Sequence, residues 1–251
     1  MQLESGRVAI VTGGASGIGR ALAQLAAAAG MRLVLVDIRD EPLQETARAL
    51  RAAGAWVEPV LADVACREDI TRVADAAFAA GSVQLICSNA GIVVPGRVWE
   101  LPDDDWRRVL DTNLLATVRL VQAFFPRLLP SAARAHLLVT GSMACVTARP
   151  GIGAYVAAKH GLLGLCEALQ HELAEANAPI GVTLLMPGLV MTDMTDANLP
   201  PGAISAERAA QLAMDAVAED RLIAFTQPDR LPAVERRFAS IISGRTPESP
   251  A

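Results

Sequence analysis

Aromatic residues are scarce in this 251-residue chain: they make up 4% of it, with a single tyrosine, Tyr155. Lysine is scarcer still for a protein with this many cations: of 22 Lys and Arg together, only Lys159 is a lysine. Cysteine is also rare. Cys66, Cys87, Cys145 and Cys166 form no Cys-x-x-Cys pair, and three histidines are too few to complete a ligand set, so no metal site is expected. The four read as reduced core thiols of a cytoplasmic protein. Long apolar runs are missing as well. Each is short and broken by Gly, Pro or charge, which argues against a membrane span. The opening MQLESGRVAI lacks the charged start, long apolar run and cleavage site of a signal peptide, and none is expected. There is no basic block, and a net charge of −5 argues against nucleic-acid or anionic-membrane partners.

What remains is a chain that is 52% hydrophobic, with a core to be built mainly from Ala, Val, Leu and Ile. Short β-rich runs alternate with longer helical stretches. Strands are predicted at 7–12, 32–37, 56–61, 83–88, 135–141, 180–186 and near 221–226. Helices are predicted at 17–29, 41–53, 67–80, 103–129, 152–176, 205–218 and near 229–243, with 187–203 loop-like. This alternation implies an α/β fold: a doubly wound parallel sheet of about seven strands with helices on both faces. No linker or repeat divides the chain, so 1–244 reads as a single domain and 245–251 as a disordered tail.

The first strand runs into TGGASGIG at 12–19 and then a helix. Gly13, Gly17 and Gly19 carry no Cβ, which permits a tight turn and close approach of a pyrophosphate to the backbone. The following helix offers free N–H groups and a partly positive end. Asp37 ends the second strand 18 residues after Gly19, near the spacing at which an acid accepts hydrogen bonds from an adenosine ribose. Its charge opposes a 2′-phosphate, and Ser16 supplies no cation for one, so NAD is expected over NADP. Arg39 is the one nearby group suited to a phosphate.

Tyr155 and Lys159 stand four apart in YVAAK, on one face of a predicted helix. A tyrosine pKa of about 10 falls toward 7 at the expense of about 4 kcal/mol of differential stabilisation, and a close ammonium can supply much of that. So tuned, a phenol exchanges a proton with an alcohol or carbonyl near neutral pH. Ser142 follows strand 135–141 on the side where such sheets bind ligands. Asn113 sits in the middle of a helical stretch, a poor place for Asn, which hints at a polar task such as holding a water.

Taken together, TGGASGIG, Asp37, Asp63-Val64, SNAG at 88–91, Asn113, Ser142, YVAAK and PGLVMT at 187–192 resemble the short-chain dehydrogenase/reductase family through about residue 195. The resemblance implies a Rossmann fold and an oxidoreductase of secondary alcohols or ketones. It implies that Tyr155 is the general acid/base, that Lys159 lowers its pKa and holds the nicotinamide ribose, that Ser142 orients the substrate oxygen and that Asn113 anchors a relay water. Gly13, Ser16, Gly17, Ile18, Asp37 and Ile38 would bind the cofactor, with Asp63 and Val64 flanking the adenine. Asn89, Ala90 and Gly91 would support it, and Pro187, Gly188, Val190 and Thr192 would meet the nicotinamide side. The chain departs from the family at Ser88, where a second Asn is usual, and at Ala116, where Gly is usual. It also ends in RLIAFTQPDRLPAVERRFASII rather than a strand and an Asp-Gly-Gly turn, like a subgroup acting on bulky, apolar or aromatic secondary alcohols.

The substrate is expected to be a hydrophobic alcohol or ketone held by Val94, Met143, Ala144, Leu189 and Met194, with Val93, Pro95, Cys145, Val146 and Leu199 nearby. Arg97 and Arg149 read as solvated. Segment 193–203 reads as a closing lid. Leu162, Leu163, Leu165 and Leu169, with small Gly161, Gly164 and Ala168, suggest a helix that pairs subunits into a homodimer or homotetramer. The alternatives are an NADPH-dependent carbonyl or 3-oxoacyl reductase and a dinucleotide-sensing protein without catalysis.

Overall fold

The computed structural model describes residues 1–131, 133–192 and 202–244. The expected Met194 and Leu199, most of the expected lid and the tail 245–251 lie outside the described residues. The β strands are β1 (Val8–Thr12), β2 (Arg32–Asp37), β3 (Val57–Leu61), β4 (Val83–Ser88), β5 (Ala135–Thr140), β6 (Ile180–Met186), β7 (Val190–Met191), β8 (Ile204–Ser205) and β9 (Ile223–Phe225). The helices are α1 (Gly17–Ala28), α2 (Asp40–Ala52), α3 (Arg67–Ala80), α4 (Asp103–Leu110), α5 (Ala116–Leu128), α6 (Gly153–Glu175), α7 (Ala206–Ala218) and α8 (Leu231–Ile242).

Seven strands form one sheet in the order β3-β2-β1-β4-β5-β6-β9, all parallel. β7 and β8 pair separately. β1, β2 and β4 are buried on nearly every residue, as strands covered on both faces must be. One apolar cluster lies between the sheet and α3, α5 and α6, with Phe124 and Leu120 fully buried. The other lies beneath α1, α2 and α7, with Leu22 and Leu43. Strand order reverses between β1 and β4, which opens a crevice at the carboxyl ends of the strands.

The structure refines three expectations. The single helix predicted over 103–129 is two helices joined by a π-helical turn, Asp111–Leu115. Hydrophobic spacing barely changes across one wide turn, so periodicity does not reveal it. Part of the loop 187–203 is extended: Val190 pairs with Ile204 and Met191 with Ser205. The carboxy-terminal helix begins with a 3-10 turn, Pro228–Arg230, where Pro228 opens the turn without needing an N–H.

Candidate active site

The glycines of the first turn are fixed by geometry. Gly13 and Gly17 have φ of +63° and +51°, in the left-handed region. A Cβ on Gly19 would lie 2.0 Å from the Gly13 carbonyl oxygen, so only glycine lets α1 pack this closely on the turn. Behind the turn, Asn89 ties three strand ends together. Its N–H donates to Thr12 Oγ1 (2.9 Å), its Nδ2 to Thr12 O (3.0 Å), and Thr140 Oγ1 donates to its Oδ1 (2.9 Å). Beside them Ser88 Oγ shares a 2.8 Å hydrogen bond with Thr117 Oγ1, which ties β4 to α5.

Asp37 is buried at the end of β2. Its carboxylate accepts the Ala15 N–H (3.1 Å), the Arg39 N–H (3.1 Å) and Arg39 Nε (3.3 Å). The half-exposed Arg39 side chain also donates from Nη2 to Ser16 Oγ at 2.8 Å. Arg39, the cation beside Asp37, is thus already engaged by Asp37 and Ser16.

At the other end, Ser142 has an extended backbone and its Oγ accepts the Ala144 N–H at 3.1 Å, capping a short 3-10 turn. Helix α6 carries Tyr155 and Lys159 on one face. Lys159 Nζ lies 5.5 Å from the Tyr155 ring centre and donates to Thr140 O at 2.8 Å. Burial pulls the Lys159 pKa down to about 8. Burial also pushes the Tyr155 phenol up, against a hydrogen bond from Ser142 that favours the phenolate. The lowering of Tyr155 expected from Lys159 is not set up by the chain alone. The ammonium spends a hydrogen bond on a carbonyl, and desolvation dominates at both groups.

Asn113 sits in the π turn, its side-chain amide held at both ends. Its Oδ1 accepts the Ile92 N–H (3.2 Å), and its Nδ2 donates to Ile92 O (2.9 Å) and Val109 O (3.0 Å). A Cβ on Gly91 would lie 2.8 Å from Asn113 Oδ1 and 3.8 Å from Lys159 Nζ. Glycine here keeps open the space between them.

A cleft of about 650 Å³ joins these parts. Of the expected cofactor and catalytic residues, Gly13, Ser16, Gly17, Ile18, Asp37, Ile38, Asp63, Val64, Asn89, Ala90, Gly91, Asn113, Ser142, Tyr155, Lys159, Pro187, Gly188, Val190 and Thr192 all line it. Four expected substrate contacts do not line it. Val94 packs against a small apolar cluster of Val109, Ala154 and Ala158. Met143 leans on the main core, Ala144 is buried, and Leu189 is held through its backbone. Ile92, Arg108, Thr112, Thr140 and Gly141 also line the cleft and were not expected. Thr140 ends a strand just before Ser142, a positional hint; Arg108 lies on α4 and Thr112 in the π turn, which periodicity does not reveal. No helix among the described residues is long and apolar enough to cross a membrane, and no metal-binding cluster is found among them.

Residues 7–201 match the short chain dehydrogenase family. The chain is 38% identical over 230 residues to 1-deoxy-11-beta-hydroxypentalenate dehydrogenase of Streptomyces avermitilis, covering 88% of this chain and 84% of that one. It is 35% identical over 205 residues to an uncharacterized NAD-dependent oxidoreductase of Mycobacterium tuberculosis, covering 76% and 74%. The crystal structure of a short chain dehydrogenase/reductase from Burkholderia phymatum in complex with NAD superposes with a TM-score of 0.94 at 34% identity, covering 100% of this chain and 99% of that one. With its parallel sheet and glycine turn, this chain belongs to the short-chain dehydrogenase/reductase family of oxidoreductases.

Proposed function

We propose that this protein is an NAD-dependent dehydrogenase that interconverts a hydrophobic secondary alcohol and its ketone. The observation that carries the reading is the convergence of Ser142, Tyr155, Lys159 and Asn113 on one end of a cleft whose other end is the glycine turn and Asp37. The cleft fits a dinucleotide: the Gly13 and Gly17 backbone leaves room for a pyrophosphate, and Asp37 stands at the ribose end. The relatives' dehydrogenase names and the NAD in the Burkholderia structure support the same reading.

When bound, the nicotinamide accepts or gives the hydride. The chain supplies the rest. Ser142 hydrogen-bonds the phenol and orients the substrate oxygen beside it. Tyr155 takes the alcohol proton in oxidation or returns it in reduction. The phenol is kept neutral by burial, so it is ready to give a proton at neutral pH, and oxidation is favoured as pH rises. Lys159 holds the ribose side of the site, and the space kept by Gly91 admits a water between Lys159 and Asn113 for proton exchange. Ile92, Val93 and Val190 give the cleft apolar wall. Arg39 is the observation that favours a second reading, use of NADP, through its position on the cleft wall. Dissociation constants for both dinucleotides separate the two: tighter NADP would reverse the assignment.

Helix α6 supports association into a homodimer or homotetramer. Leu162 and Leu169 are spent on the chain's own core, but Ala157, Gly164 and Ala168 remain exposed on an outer face of small residues.

The deciding experiment follows NADH formation across a panel of bulky secondary alcohols at mildly alkaline pH. Tyr155→Phe is expected to lower turnover by about 100-fold or more, the usual worth of a placed acid/base, while still binding NADH. Near-normal turnover in that variant would remove Tyr155 from the chemistry. Binding of NADH without turnover in wild type across the panel would favour a sensor.

A further inference from the structure

Gln227 is buried where β9 gives way to the carboxy-terminal helix. It does not line the dinucleotide-sized cleft described above, yet its amide is satisfied by the backbone of a segment that does. Oε1 accepts the Leu189 N–H at 2.9 Å, and Nε2 donates to Leu189 O at 3.0 Å and to Gly202 O at 2.6 Å. The neighbouring Thr226 Oγ1 accepts the Gly188 N–H at 3.2 Å.

The two bonds to Leu189 copy the pairing a neighbouring strand would make with one residue. No strand of the main sheet performs that task there: β6 ends at Met186 and β9 at Phe225. The third bond reaches Gly202, so one side chain holds the chain at two points 13 positions apart in sequence. Ile204 N donates to Leu189 O at 3.0 Å and continues the same tie into β8. The fit is close. A Cβ on Gly188 would lie 1.7 Å from Gln227 Oε1. Pro187, Gly188, Val190 and Thr192, the residues flanking Leu189, all line the cleft, and a Cβ on Gly17 would lie 3.1 Å from Thr192 Cγ2. That wall therefore leans on the glycine turn in front and on Gln227 behind.

We propose that Gln227 is a positioning residue: it fixes the depth of the 187–192 wall over the cleft, and through it the seating of the dinucleotide and the approach of substrate to Tyr155. The proposal rests on the oxidoreductase reading above. It also gives the unusual carboxy terminus a task in the active site. The same segment is tied to α6 through Arg237 Nη2, which meets His160 Nε2 at 3.0 Å, one residue beyond Lys159.

The test is NADH binding by fluorescence titration on Gln227→Leu, Gln227→Glu, Gly188→Ala and the Gln227→Ala/Gly188→Ala pair, beside urea unfolding and steady-state kinetics. Gln227→Leu loses all three bonds and is expected to weaken NADH binding about ten-fold and to lower kcat in protein that is fully folded. Gln227→Glu keeps the acceptor for Leu189 N–H but faces two carbonyls with a carboxylate, and is expected to be no better. Gly188→Ala alone is expected to weaken NADH binding. In the Gln227→Ala background the added methyl has room, and its effect is expected to fall several-fold. Unchanged NADH binding and kinetics in Gln227→Leu, or equal effects of Gly188→Ala in both backgrounds, would overturn the proposal. So would a loss of stability with binding unaltered, which marks a structural glutamine only. Failure of wild type to bind either NADH or NADPH would overturn the oxidoreductase reading itself.

Discussion

Lys159 is the residue at which burial and charge oppose each other most directly. Its ammonium donates to Thr140 O, and burial holds its pKa at about 8 against 10.5 for the free side chain. Between those values the unfolded chain binds more protons than the folded one, so this group's contribution to stability rises with pH across that window. Below pH 8 the buried cation costs the fold about 3 kcal/mol. Buried thiols act in the opposite sense. Cys87 and Cys166 are pushed up to about 12 and Cys145 is also raised, so above their ordinary value of 9 the unfolded chain loses protons first and stability falls. Comparison with Lys159→Met isolates the lysine. Without dinucleotide the variant is expected to be the more stable at pH 7.5, and its advantage to shrink by about 1 kcal/mol by pH 9 in urea unfolding. An advantage that does not change with pH would mean that the fold leaves the Lys159 pKa where it stands in the unfolded chain. The spacing of Tyr155 and Lys159 is visible in the sequence; the direction of their pKa shifts is not, because it depends on what the fold packs around them.

At the scale of elements, the π turn matters most. A regular helix over 103–129 would rotate Asn113 relative to α4; the wide turn places its amide on Ile92, beside Gly91 and Lys159. Arg119, largely buried on α5, holds the turn from below: it donates to Asp111 O at 3.1 Å and pairs with the Asp111 carboxylate. Arg119→Met is expected to cost about 1–3 kcal/mol in unfolding, as loss of a charge-assisted bond does, and to reduce turnover more than NADH binding. Equal reduction of both would place the effect outside Asn113. Sequence patterning found the helix on both sides of this turn, and the weak helix propensity of Asn113 was its only trace. Ser88 illustrates the complement. The resemblance marks it as a departure, and the structure gives its hydroxyl a partner in Thr117.

At the scale of the molecule, the sheet brings distant segments to one edge. The cleft wall draws on the carboxyl ends of β1 to β6 and the loops beyond them. Association is decided at this scale too. Gly164 lies exposed in the middle of α6, and a Cβ there would meet nothing within 4 Å. Gly164→Glu is therefore expected to leave the circular dichroism and unfolding of the monomer unchanged while light scattering falls from dimer or tetramer to monomer. A wild-type monomer, or an unchanged assembly in the variant, would exclude this face as the contact.

The alternation of strands and helices, the glycine turn and the Tyr155–Lys159 pair were legible in the sequence alone because each is a local matter of periodicity, steric freedom or one helical turn. Asp37 was legible because its distance from the turn is set by one intervening helix and strand. Tertiary structure alone decided which apolar residues face the cleft, leaving Val94, Met143, Ala144 and Leu189 off its wall and bringing in Arg108 and Thr112. It also decided that Arg39 is held by Asp37 and Ser16, that burial outweighs the Ser142 hydrogen bond at Tyr155, and that Gln227 braces a wall 38 residues away. Each of these depends on which groups share a dry space, and that is settled only when separate stretches of chain pack together.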